Sequence, residues 1–222
     1  MQISCRDRNK IALQSDILGA NALGIKNILC ITGDSVKAGD QQDAKSVHQF
    51  ESVRLLKQIQ AFNKGIDPTF GELPDNKTFI YAGAAADPSC KNQKSLEDRV
   101  RKKKEAGAQF IQTQMIMKKE DLIEFCDKIA KPLEIPIIAG VFLLKSYKNA
   151  LFINKYVPGA SIPENILNRL KYAKNPLEEG IQIAAEQAQD FFYIANGIHL
   201  MAVKTEHLIP EILAKANLNL EY

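Results

Sequence analysis

The 222-residue chain has no apolar run approaching the roughly 20 residues needed to cross a bilayer. Its N-terminus lacks the charged-then-apolar pattern of a signal peptide. The four cysteines, Cys5, Cys30, Cys90 and Cys126, are scattered without CxxC spacing. That usage points to neither a zinc knot nor a disulfide framework and fits a reducing cytoplasm. A net charge of +3 is too small to imply nucleic-acid binding unless the charges cluster. No GxGxxG follows any strand-like run, so a dinucleotide-binding Rossmann unit is poorly supported. There is no linker, low-complexity tract or short repeat. With 45% hydrophobic and 25% charged residues, the composition is that of a folded globular protein rather than a disordered one. The length suits one substantial domain over residues 1–222.

Short apolar runs bounded by polar, Gly or Pro residues recur at Gln2–Cys5, Asn27–Thr32, Thr78–Ala84, Phe110–Gln114, Pro136–Gly140 and Gly197–Ala202. They read as buried parallel strands. Helix-patterned segments lie between them, at Asn9–Leu23, Val47–Phe62, Ser95–Ala106, Lys119–Ile129, Pro163–Ala173, Leu177–Ile194 and Glu206–Ala216. In the first, Ile11, Leu13, Ile17, Leu18 and Leu23 fall near one face. The interval Ser146–Ile194 has room for two or three helices. Six βα units result, where a closed (β/α)₈ barrel needs eight; a doubly wound sheet also fits the alternation. In a barrel, chemistry belongs at the C-terminal strand ends, here Cys5-Arg6-Asp7 and Thr32-Gly33-Asp34.

The run SCRDRNKIALQSDILGANALGIKNILCITGD resembles part of the methylenetetrahydrofolate reductase family. Four further segments continue the resemblance in order: EAGAQFIQTQ, PIIAGVFLLKSYKNALF, VPGASIPENILNRL and NGIHLMA. The resemblance implies a (β/α)₈ TIM-barrel-type fold whose first two βα units precede the six found here. It implies FAD, with NADH or NADPH as electron donor, reducing 5,10-methylenetetrahydrofolate to 5-methyltetrahydrofolate. It gives no role to nucleic acid or membrane. The two sheet edges left by six strands suggest a homo-oligomer or a partner subunit.

Residue by residue, the resemblance places Thr32, Gly33 and Asp34 at the flavin, with Asp34 also beside the folate. A carboxylate in a low-dielectric cleft acts strongly on developing charge. The plain alternative is an Asp capping the next segment. Gln114 and Asn149 correspond to folate contacts, and an amide suits a pterin edge because it donates and accepts. Ala84 opens AAADP, whose small residues admit a close backbone approach. Arg99, Lys102 and Lys103 share a helical face by spacing and match positions that grip the flavin phosphates; the plain alternative is a solvated basic face.

Other residues carry less. His199 reads as a satisfied core histidine. Cys5, next to Arg6, is a candidate for a lowered thiol pKa, although the resemblance assigns it no chemistry. Gln2, His48 and Asp87 stand at flavin-contact positions but differ in type from relatives. The relatives' Gly-Ile-Leu-Pro turn reads Gly140-Val141-Phe142-Leu143, without the Pro, and Thr205 stands where some relatives place an Arg. The general-acid Glu of the family belongs to the first of the two preceding units. Its absence from this sequence supports a second expectation, a flavin- or folate-binding subunit without turnover.

Overall fold

The computed structural model describes residues 1–69, 71–73, 77–157 and 159–218. Six parallel strands alternate with helices: β1 (Gln2–Ser4), α1 (Lys10–Ala22), β2 (Asn27–Ile31), α2 (Ser52–Asn63), then a small antiparallel hairpin of β3 (Ile66–Asp67) and β4 (Gly71–Glu72). β5 (Tyr81–Ala86), α3 (Gln93–Glu105), β6 (Phe110–Met115), α4 (Lys119–Phe125), β7 (Ile137–Phe142), α5 (Tyr147–Tyr156), α6 (Glu164–Tyr172), α7 (Pro176–Phe192), β8 (Gly197–Met201) and α8 (Ile209–Ala216) follow. The sheet order is β1-β2-β5-β6-β7-β8, each strand beside its predecessor in sequence. A doubly wound sheet reverses direction at a switch point. This order never reverses, which selects the barrel type of α/β fold.

The chain divides into two compact units, Met1–Ala85 with Glu97–Ile111, and Ala86–Leu96 with Gln112–Tyr222. In the first, Leu13, Ile17 and Ala20 of α1 and Leu55, Leu56, Ile59 and Phe62 of α2 are buried. The apolar stripe of α1 is narrower than its pattern suggested. Ile11 and Leu23 are 73% and 82% exposed, and Leu18 is also exposed. Only the 13, 17, 20 spacing follows a single helical face.

In the second unit, Leu144, Ala150, Ile153, Ile166, Leu170 and Ile183 form a core shared by the segment after β7 and helices α5, α6 and α7. Gly180 on α7 packs onto the Leu144 carbonyl, where any Cβ would collide. The long interval before β8 thus holds three helices.

Several boundaries differ from the sequence reading, each because of a bond to a residue distant in sequence. α2 starts at Ser52, not Val47, because Val47 and His48 give their N–H groups to the Arg6 carbonyl, at 2.7 and 3.3 Å. His48 also has a positive φ of 41°. β5 starts at Tyr81, not Thr78, because the Asn63 side chain takes over the preceding backbone. Its Oδ1 accepts from Thr78 Oγ1 and Ile80 N, and its Nδ2 donates to Ile80 O at 2.8 Å. β7 runs on through Phe142 where a turn was expected. Leu143, replacing the family Pro, keeps an N–H that donates to Met201 O at 2.9 Å.

Helix α4 gives way to a wider turn at Cys126–Ala130. The stretch before α8 is a 3₁₀ turn at Glu206–Leu208, with Pro210 inside the first turn of the helix proper. No helix among the described residues is long and apolar enough to cross a membrane.

Candidate active site

In the first unit, parallel pairing sets the ends of β1, β2 and β5 side by side, with Ser4 opposite Ile31 and Cys30 opposite Ala84. Arg6 and Asp7 form a two-point ion pair, Nε to Oδ1 at 2.7 Å and Nη2 to Oδ2 at 3.0 Å. That bond holds the Asp7 carboxyl below its usual range, and Asp34 is among the charges raising Arg6. Gly33 has φ of 90°, and a Cβ there would strike Ser4 Oγ and Arg6 Cβ. Only glycine lets β2 turn this close to β1.

Thr32 and Asp34 separate at this point. Thr32 Oγ1 accepts the Ser52 N–H at 3.1 Å and meets the Ser52 hydroxyl at 3.3 Å. It therefore supplies the first turn of α2 with the acceptor that Glu51, at the N-cap, does not provide. Asp34 is exposed and makes no hydrogen bond among the described residues. Capping of the next turn is done by Ser35, which accepts from Lys37 N.

Ala82, Ala84 and Ala86 are buried along one face of β5, while Gly83 packs against the Phe110 ring. Lys103 reaches from α3 to the end of that strand, its Nζ donating to Ala85 O at 2.6 Å. Burial, then the neighbouring Arg99, push the Lys103 ammonium below the ordinary lysine range, against the pull of Glu51. The basic face thus divides. Lys103 is partly buried at the strand end with Arg99 one turn away, whereas Lys102 is exposed.

Cys5 reverses its sequence expectation. Burial, with Glu51 adding to it, pushes its thiol up to about 11 rather than down, so proximity to Arg6 in sequence does not activate it. Gln2 is exposed in β1.

In the second unit, alternation along β6 buries Ile111 and Thr113 and leaves Gln114 exposed. Thr113 Oγ1 accepts from Gly140 N at 2.8 Å, tying β6 to β7. Gln112, two residues before Gln114, meets His199 Nδ1 through its Nε2 at 2.9 Å. His199 is satisfied, as expected, but only half-buried, and burial lowers its pKa below the ordinary value. Gln112 carried no functional reading, although the Gln-x-Gln spacing in FIQTQ was its available signal.

Asn149 lies in the first turn of α5, which Ser146 caps by accepting Asn149 N at 3.1 Å. Its Oδ1 accepts Lys145 N at 3.2 Å, leaving the amide NH₂ as a donor. Asp87 folds onto its own loop, accepting from Ser89 N and Oγ. Thr205 precedes the 3₁₀ turn and donates to Val203 O. Among the described residues, no cluster of His, Cys, Asp or Glu is arranged to hold a metal ion.

The family model for methylenetetrahydrofolate reductase matches residues 1–217. The chain belongs to the methylenetetrahydrofolate reductase family. Methylenetetrahydrofolate reductase 1 of Schizosaccharomyces pombe is 23% identical over 229 residues, covering 98% of this chain and 35% of that protein. A probable methylenetetrahydrofolate reductase (NADPH) of Caenorhabditis elegans is 24% identical over 231 residues, covering 98% and 32%. This family member thus spans about a third of the length of these curated relatives. Among solved structures, an uncharacterized protein from Clostridium thermocellum that binds two copies of 5-methyl-5,6,7,8-tetrahydrofolic acid matches with a TM-score of 0.63 at 17% identity. The match covers 97% of this chain and 70% of that one, and it shows a shared fold.

Proposed function

We propose that this chain is the catalytic domain of a methylenetetrahydrofolate reductase, reducing 5,10-methylenetetrahydrofolate to 5-methyltetrahydrofolate with FAD and NADH or NADPH. The observation that carries the reading is the family match across residues 1–217. The donor set suits a flavin dinucleotide. Lys103 spends one of its three N–H donors on Ala85 O and retains two for a phosphate. Arg99, one turn away on α3, adds a guanidinium that binds phosphate in two-point fashion, and exposed Lys102 adds a more distant charge.

Bound FAD supplies hydride chemistry between the nicotinamide and the folate carbon. Asp34, at the turn that Gly33 creates, offers a carboxylate without a hydrogen bond among the described residues to stabilise positive charge developing on the folate. Gln114 and the free NH₂ of Asn149 hold the pterin edge. Thr32 acts through backbone placement, its hydroxyl being committed to α2, and Ala84 keeps the strand end open. The folate-binding Clostridium thermocellum structure is consistent with a folate ligand. We place the enzyme in a reducing cytoplasm, as a homo-oligomer or with a partner subunit.

The test is formation of 5-methyltetrahydrofolate from 5,10-methylenetetrahydrofolate by the FAD-supplied chain with NADH or NADPH. Product formation supports the reading. Flavin retention without product supports the second expectation, a binding subunit without turnover.

A further inference from the structure

The bond between Gln112 and His199 joins β6 to β8 across the strand between them, β7. Gly140 on β7 is in register with His199 and has no side chain to stand between the two. In a barrel, alternate strands supply one interior layer, normally of branched apolar residues. An amide and an imidazole take that place here. Both are half-buried, whereas Ile111 and Thr113 on either side of Gln112 are buried. Strand alternation puts Gln112 on the same face of β6 as Gln114.

The bond fixes the chemistry of both side chains. Gln112 Nε2 is a donor, so His199 Nδ1 accepts and the ring is the neutral Nε2–H tautomer. Gln112 Oε1 has no hydrogen-bond partner among the described residues, and it is not sealed from solvent. The amide therefore carries an open acceptor on the strand that bears Gln114. Protonating His199 would place an N–H at Nδ1, against the amide NH₂. The pair survives that only if the amide turns over, giving Oε1 to the ring and leaving NH₂ as the open group.

Burial lowers the His199 pKa and keeps the ring neutral at neutral pH. β6 and β7 carry no titratable side chain. On α7, which packs against β8, Glu178, Glu179, Glu186 and Asp190 are paired with Lys215, Arg169 and Lys119.

We propose that His199 is a positioning residue for folate, holding the Gln112 amide with its acceptor open on the face that carries Gln114. The inference rests on the folate reading of Gln114. A pterin edge carries an N–H and an amino group, so reversing the amide sets donor against donor. Lowering the pH through the His199 titration thus weakens folate binding by way of Gln112.

The first test is the ring itself. Two-bond proton–nitrogen NMR of the FAD-supplied chain at about pH 7.5 should show unprotonated Nδ1 and protonated Nε2. The His199 signals are assigned through His199→Asn. A ring protonated at Nδ1 overturns the proposal. The second test is calorimetric titration of 5-methyltetrahydrofolate at about pH 7.5 and about pH 5. Binding should weaken at least threefold more in the native chain than in Gln112→Leu, where folate and His199 still ionise. Equal pH dependence in the two overturns the proposal, as does a native chain that binds no folate. Product formation with equal pH dependence removes only the role of His199. Absence of folate binding removes the folate reading as well.

Discussion

Cys5 and Cys30 sit in the core behind the proposed catalytic turns, and burial raises both thiols above the ordinary cysteine range. Burial also raises Cys126, whereas Cys90 is partly exposed. Alkylation at mildly alkaline pH should therefore mark Cys90 first, as read by peptide mass spectrometry. Early labelling of Cys5 would contradict its assignment as a structural thiol. Asp34 presents the opposite case, an exposed carboxylate without a structural bond. Asp34→Asn should retain flavin yet slow folate reduction by about 2 to 4 kcal/mol of transition-state stabilisation. Unchanged folate kinetics would remove Asp34 from the mechanism.

His199 makes a pH-dependent contribution to stability. Its folded-state pKa lies below the ordinary 6.5 because burial disfavours the charged ring. Between the folded value and 6.5, the unfolded chain binds more protons than the folded one, so stability rises with pH there. This contribution is complete above 6.5 and is lost as pH falls toward the folded value. A His199→Asn variant should flatten that part of the thermal-melting profile. Parallel profiles for the two proteins would show that the ring's protonation is not coupled to folding.

Among the elements, β7 shows how one residue sets a boundary. Leu143→Pro, which restores the family residue, removes the N–H bonded to Met201 O. Losing that bond should lower stability by about 1 to 3 kcal/mol in a denaturant melt. Gly180→Ala on α7 meets the Leu144 carbonyl and should cost about 3 kcal/mol through overpacking. A neutral result would mean that α7 can move away from the segment after β7.

The six sheet strands and the helices other than α5 were legible in the sequence because short apolar runs and helix-patterned segments alternate along it. What escaped it depends on long-range bonds. The Asn63 side chain shortens β5, the Arg6 carbonyl delays α2, and two-residue strands such as β3 and β4 leave no pattern. At the candidate site, the strand-end place of Gly33 and the α3 position of Lys103 were legible. The commitment of Thr32 to Ser52 and the pairing of Gln112 with His199 were not, since both join residues far apart in sequence.

At the scale of the whole molecule, the sheet order β1-β2-β5-β6-β7-β8, in which the strand order never reverses, puts the fold in the barrel class. It brings the Gly33 turn and the Ala85 carbonyl to neighbouring strand ends in one unit, and Gln114 to a strand end in the other. Family membership makes flavin the cofactor to test. The measurement that bears most directly on this account is the visible absorbance spectrum of the chain, purified, supplied with FAD and then desalted. The account predicts a stoichiometric bound-flavin spectrum that Lys103→Gln weakens by at least tenfold in affinity. A colourless protein after FAD addition and desalting would contradict it.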